Sequence, residues 1–133
     1  VIHRNTKFLR FNRGVTTVFD TYRNALGMEQ AEDFSLGYHD RIGYRASTAV
    51  PFRFYDLGNE IETSLVLYAV VATEEALRTL DAQTAFKKLE TLKDQIPTST
   101  GVHVFSVTNA IFSPHNKNTL WKEAYTNYIV NYD

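Results

Sequence analysis

Arg45, Glu74 and Thr108 each stand just past a stretch of apolar residues, where a strand would end and polar groups would gather. A guanidinium grips carboxylates and phosphates, a carboxylate can move a proton, and a hydroxyl can orient a ligand. The same residues also suit a plainer role, because strand ends are usually polar and Glu74 would favour the N-terminus of a following helix. Arg45 has the richer setting. It lies in residues 38–57, which bring together arginines, aromatics and Pro51 with no clean helical or strand period. Ordinary connections run roughly 4–6 residues, and a long aromatic one is more often a functional loop than a bare linker.

Other chemistry is thinly represented. His3, His39, His103 and His115 share no metal-ligand spacing. His39 and Asp40 are adjacent and would point apart, and His103 falls inside a predicted strand as a core or edge histidine. Neither a Gly-rich phosphate loop nor a Gly-x-Ser-x-Gly elbow occurs. The eight Tyr and nine Phe could line a sugar-stacking surface. At helical spacing, as in Trp121, Tyr125 and Tyr128, they suit a core instead.

The elements that must position these residues follow from the apolar pattern. Residues 7–11 alternate as a short strand, broken by Asn12-Arg13-Gly14. Val15, Val18, Phe19, Tyr22 and Leu26 form a helical stripe closed by Gly27. A brief strand is expected over 33–37, and another over 42–45 that runs into a loop where Pro51 bars a helix. Residues 64–72 are continuously apolar, which predicts a strand buried on both faces. Thr73-Glu74-Glu75 could open a helical turn. Asp81 is placed to cap a helix with Ala82, Ala85, Phe86, Leu89, Leu92 and Ile96 on one face, stopped by Pro97. Val102, Val104, Phe105 and Val107 predict a further strand. Asn116 or Asn118 would cap a last helix with Leu120, Trp121, Ala124, Tyr125, Tyr128 and Ile129 along one side. Strand then helix, repeated, predicts an α/β fold with mostly parallel strands flanked by about three helices.

The 133 residues suffice for a single domain spanning 1–133 with its own core. Hydrophobic content of 44% and charged content of 22% fit a globular chain rather than a disordered one. A net charge of -1 leaves no basic footprint for nucleic acid, and no apolar run reaches membrane-spanning length. The absence of cysteine excludes disulfide and thiolate chemistry, with the cytoplasm as the milder expectation for compartment. The opening Val1-Ile2-His3-Arg4-Asn5 has neither a signal peptide nor a Met start and reads as the beginning of a trimmed or partial chain.

Several segments together resemble the C-terminal half of polysaccharide deacetylase-like proteins. They are Phe19-Asp20-Thr21-Tyr22-Arg23-Asn24, Asp33-Phe34-Ser35-Leu36-Gly37-Tyr38, Gly43-Tyr44-Arg45-Ala46-Ser47-Thr48 and Pro51-Phe52-Arg53-Phe54-Tyr55-Asp56-Leu57. The strand over 101–107 and Trp121-Lys122-Glu123-Ala124-Tyr125 add to the likeness, which spans nearly the whole chain. The resemblance implies the carbohydrate esterase fold, a distorted (β/α) barrel of which this chain is a partial, barrel-like half. It implies hydrolysis of a sugar N-acetyl group, with a divalent metal such as zinc in an active full-length relative polarising the carbonyl and activating water. Carried over, Arg45 matches the arginine that orients the catalytic carboxylate. Pro51 and Phe52 match the loop beside the substrate groove, which Phe54 and Tyr55 extend. Glu74 stands where relatives tend to have an aspartate, and Thr108 where a late histidine acts as general acid.

Two departures qualify that activity. Threonine does not donate a proton as imidazolium does. The Asp-Asp and His-x-x-x-His motifs of the metal site are absent, so no metal site and no cofactor are expected in this chain. The expectation is a deacetylase-like domain that is inactive in this form, or a non-catalytic carbohydrate-binding or protein-interaction module with a groove around Arg45, Phe52, Phe54 and Tyr55. Half a barrel leaves strand edges unpaired, so self-association by edge pairing or a swapped element is expected.

Overall fold

Residues 61–72 are rich in isoleucine, threonine, leucine, valine and tyrosine and hold no glycine or proline, a composition that suits an extended backbone. In the structure, a computed structural model that describes residues 8–11, 17–26, 32–113 and 119–131, this stretch is the 12-residue strand β4 (Ile61–Ala72). The other strands are β1 (Phe8–Leu9), β2 (Glu32–Leu36), β3 (Phe52–Asp56) and β5 (Val104–Phe105). They form one five-stranded sheet in the order β1-β2-β4-β3, with β5 also on β4. The helices are α1 (Val18–Leu26), α2 (Glu74–Leu77), α3 (Ala82–Lys93) and α4 (Thr119–Val130), with a 3-10 turn at Asn109–Phe112.

The fold is α/β, but the sheet is mixed rather than mostly parallel. β1 runs parallel to β2, β2 to β4, and β4 to β5, while β3 is antiparallel to β4. The reason is the link between β3 and β4. Leu57-Gly58-Asn59-Glu60 is too short for a parallel crossover, which needs a dozen or more residues, and so it closes a hairpin. β3 pairs with the first half of β4, Phe52 opposite Leu67 and Asp56 opposite Ile61. β5 takes the last stretch, Val104 opposite Val70. The approaches to β3 and β5 are joined by the Val102 N–H, which donates to the Ala49 carbonyl at 2.9 Å. The described strands leave the sheet open, with β1 and β3 at its two ends.

Six further expectations need correction. Residues 42–45 are turn rather than strand; Gly43, at φ 153°, uses its N–H to cap the Val71 carbonyl at 2.8 Å. The Phe52–Tyr55 stretch expected as a loop is the edge strand β3. β4 is not buried on both faces throughout: burial alternates from Thr63 to Tyr68 and becomes continuous only from Ala69. The strand expected over 102–107 shortens to Val104–Phe105, and the helix expected to reach Ile96 ends at Lys93. On α4, Trp121 and Tyr128 are buried, but Leu120 is 68% exposed and Ile129 44% exposed. The expected breaks and caps at Asn12-Arg13-Gly14, Gly27, Asn116 and Asn118, with Lys7 and Val15, lie outside the described residues.

Two cores result. One packs Tyr22 and Ala25 of α1 against Leu36, Phe54, Leu65 and Leu67. The other gathers Val71 and Ala72 at the end of β4 with Leu77, Phe86 and Leu89, and with Ile111, Trp121 and Tyr128. On the opposite side of the first core, Phe8, Phe34 and Tyr68 form an aromatic row across three neighbouring strands, with Phe34 stacked on Tyr68 at 4.4 Å.

Adjacent residues fix α1 to two strands. The Tyr22 hydroxyl donates to Asp33 Oδ1 at 2.8 Å, within β2. Arg23 Nη2 reaches Asp56 Oδ1 at 2.7 Å, at the end of β3. Asp56 also accepts from the Gly58 N–H at 2.9 Å and from Asn59 Nδ2 at 2.7 Å. A Cβ at Gly58 would meet the end of the Arg23 guanidinium and displace that side chain from its place beside Asp56. Tyr22→Phe removes the hydroxyl from a fully buried carboxylate, and the expected loss is about 2 kcal/mol, measured by urea denaturation. An unchanged denaturation midpoint would show that Asp33 does not need this bond.

Candidate functional site

The carboxyl ends of β1, β2, β4 and β5 point the same way, so the residues that follow them collect at one rim of the sheet. A small crevice of about 80 Å³ opens there. Its walls are Arg10 and Phe11 after β1, Ser35 and His39 at and beyond the end of β2, Thr73, Glu74 and Glu75 after β4, and Ser106 and Thr108 after β5, with Phe34 and Val70 beneath. Pockets for drug-sized ligands run roughly 300–1,000 Å³. This one therefore accommodates a single small functional group, and anything larger must lie across its mouth.

Glu74 is the crevice's most constrained side chain. Thr73 starts α2, its hydroxyl accepting from the Ala76 N–H at 3.3 Å, and this sets Glu74 in the first turn. One Glu74 oxygen accepts from Arg78 Nε at 2.9 Å and Nη2 at 2.7 Å. The other accepts from the Thr108 N–H at 2.8 Å and from the Thr108 hydroxyl. Burial alone would raise the Glu74 carboxyl, but the bonds from Thr108 and Arg78 outweigh it and hold the group below its ordinary value. Both oxygens are committed, and the carboxylate ties the exit of β4 to the exit of β5.

Of the three residues expected to converge, the structure joins Glu74 and Thr108 and places Arg45 elsewhere. Arg45 is half-buried in the turn after Gly43, and its charge acts on Tyr22. Burial and then the charge of Asp33 push the Tyr22 phenol far above its ordinary value, and Arg45 partly offsets them. Pro51 precedes β3. Phe52, Phe54 and Tyr55 line a different, apolar groove with Val18, Phe19 and Leu57, between α1 and β3. Phe54 is buried against α1, while Tyr55 is 47% exposed.

Two clusters escaped the sequence reading. In the first, the fully buried Asp33 accepts from Tyr22 and from the Ser35 N–H at 3.0 Å and hydroxyl at 2.7 Å, and Ser35 Oγ in turn accepts from the Phe11 N–H at 2.7 Å. A carboxylate within a strand of otherwise core-facing residues was the available signal. In the second, His103 lies between two phenols, with Tyr44 OH at 3.0 Å from Nδ1 and Tyr128 OH at 2.8 Å from Nε2. Burial, with Lys93 nearby, pushes His103 down to about 4. No spacing rule links Tyr44, His103 and Tyr128, because three separate segments deliver them.

Among the described residues no three His, Cys, Asp or Glu side chains are grouped to hold a metal ion. Nor is any described helix long and apolar enough to cross a membrane. No family model, no curated protein and no solved structure matches the chain.

Glu74→Ala should free Thr108 and loosen α2 from β5. The expected cost is about 1 kcal/mol, small because the Arg78 side of the interaction faces solvent; chemical denaturation would measure it, and Glu74→Gln should recover part of the loss. His103 provides a pH signature. Its folded value lies near 4, against 6.5 in an ordinary environment, so the unfolded chain binds a proton that the folded one refuses between these limits. Stability should therefore fall as pH drops through that window, and the carboxylates of Glu74 and Asp56, both held low, add to the fall from its lower end downward, where the unfolded chain takes up their protons. Thermal melts of His103→Gln should show the slope flattened in this window alone. A slope identical to that of the parent chain would remove His103 from the account.

Proposed function

We propose that this chain is a polysaccharide deacetylase-like domain, a partial β/α-barrel half whose crevice binds N-acetylated carbohydrate without hydrolysing it. The observation that carries this reading is the bond between Glu74 and Thr108. These are the positions that the resemblance assigns to an acidic residue and to the late general acid, and here they serve each other. A carboxylate whose lone pairs are taken by Arg78 and Thr108, and whose proton affinity is reduced, makes a poor general base. The volume of the crevice supports a role for one small group of the sugar, of acetyl size, while exposed Arg10, His39 and Glu75 meet the remainder. The cytoplasm remains the proposed compartment, on the cysteine-free composition alone.

The test is calorimetry with chito-oligosaccharides alongside an assay of acetate release in the presence of zinc. Saturable heat without acetate is the expected result, with affinity reduced about fivefold in Glu75→Ala or His39→Ala, the loss of roughly one hydrogen bond. Zinc-dependent acetate release would overturn the non-hydrolysing part of the proposal. Absence of heat at millimolar sugar would overturn carbohydrate binding altogether.

A further inference from the structure

We propose that the groove between α3 and α4 receives an amphipathic helix of another protein, one rich in lysine or arginine. The proposal is independent of the carbohydrate reading, since the groove shares no residue with the crevice. α3 and α4 pack through Phe86, whose ring centre lies 6.1 Å from that of Trp121 and 5.4 Å from that of Tyr128. Beside this contact the two helices leave a groove of about 610 Å³. Its floor is Phe86 and Tyr128, both buried, with two small side chains, Ala82 and Ala124, that make the depression. Leu120, Ala124, Asn127 and Asn131 of α4 line it at the spacing that keeps residues on one side of a helix. The groove therefore follows α4 for about three turns, a shape that a third helix fills by ridge-into-groove packing. α4 is apolar on more than its inward side: Leu120, Ile129 and Val130 are exposed, in addition to the buried Trp121 and Tyr128. A helix apolar round most of its surface is normally enclosed, and of those three exposed residues Leu120 faces the groove.

Charge selects the occupant. Of the charged side chains lining the groove, Asp81, Glu90 and Glu123 are acidic and Lys87 alone is basic. Asp81 caps α3 and accepts from the Thr84 N–H at 3.0 Å. Among the described residues Glu90 and Glu123 form no ion pair, so two exposed carboxylates border an apolar floor without a cation to meet them. A second copy laid groove to groove would set these acids against their own kind, and an anionic bilayer would be repelled by them. A helix with leucine-type side chains on one face and cations on its flanks satisfies the floor and the rim together.

The probe is a labelled helical peptide with leucines along one face and lysines on both flanks, followed by fluorescence anisotropy. It should bind saturably in the micromolar range and more weakly as salt rises. A twin with glutamate in place of lysine, and a scramble that breaks the leucine face, should each bind at least about tenfold more weakly. Glu90→Lys and Glu123→Lys should each cost about fivefold, and Lys87→Glu should gain a similar factor. Leu120→Ala should also cost about fivefold while leaving the salt dependence unchanged. All four positions are exposed, so these variants should fold as the parent chain does. Absence of binding would overturn the proposal. So would a scramble that binds equally well, or binding unmoved by both Glu123→Lys and Leu120→Ala. A dimer of the chain alone that Leu120→Ala dissociates would overturn it too, because a second copy would then hold the groove.

Discussion

Neighbouring side chains on one helix reach carboxylates on two different strands, and the rest of the architecture follows from that constraint. Tyr22 bonds Asp33 of β2, and Arg23 bonds Asp56 at the end of β3. Neither strand pairs with the other; both pair with β4. α1 therefore spans the sheet above β4, and its other inward residues must pack on Leu65 and Leu67. A buried carboxylate without partners is costly, so these two acids define where the helix can lie far more sharply than apolar packing does. The same bonds set the hairpin, since Asp56 holds Gly58 and Asn59 while it holds Arg23.

With α1 fixed, the length of β4 becomes the organising dimension. β3 pairs with Ile61 to Leu67, β2 with Val66 to Ala69, and the last stretch passes to β5. This division explains the alternating burial that turns continuous at Ala69. Up to Tyr68, α1 covers one face and the row of Phe8, Phe34 and Tyr68 stands on the other. Toward the end, α2, α3 and α4 close around the strand. The Phe34 and Tyr68 rings stack face to face at an interplanar angle of 15°. Each thereby occupies a face that a sugar ring would otherwise use, so this row is a structural ladder across the strands and not a stacking platform.

Periodicity and capping chemistry made much of this readable in advance. The apolar run ending at Ala72, the cap at Thr73, the cap at Asp81 and the helical stripe through Phe86 and Leu89 all depend on residues within a few positions of one another. The antiparallel β3 was concealed by composition: Phe52-Arg53-Phe54-Tyr55-Asp56 looks like an aromatic loop until the four-residue link to β4 is weighed as a hairpin. Glu74 and Thr108 could be placed together because both follow parallel strands. Arg45 could not, because residues 42–45 form a turn where a strand had been expected, and a turn does not fix the side of the sheet on which its side chains emerge. The pairs Tyr22 with Asp33 and Arg23 with Asp56 sit inside segments from which a deacetylase-like family was expected. Helix-to-sheet attachment accounts for these four residues with no appeal to chemistry.

The clamp between Glu74 and Thr108 acts as a brace at the rim of the sheet. A residue acting as a proton carrier must leave at least one lone pair or N–H free for substrate, and its proton affinity must lie near the working pH. A residue acting as a brace gains from the opposite condition, with every lone pair engaged and a proton affinity far from that range. Glu74 meets the second condition: Arg78 takes one oxygen, and Thr108 takes the other twice. Thr108 is exposed, and its short hydroxyl lies against the carboxylate. Threonine at this position thus joins the exits of β4 and β5, and the polar rim above the sheet encloses a space for one small group.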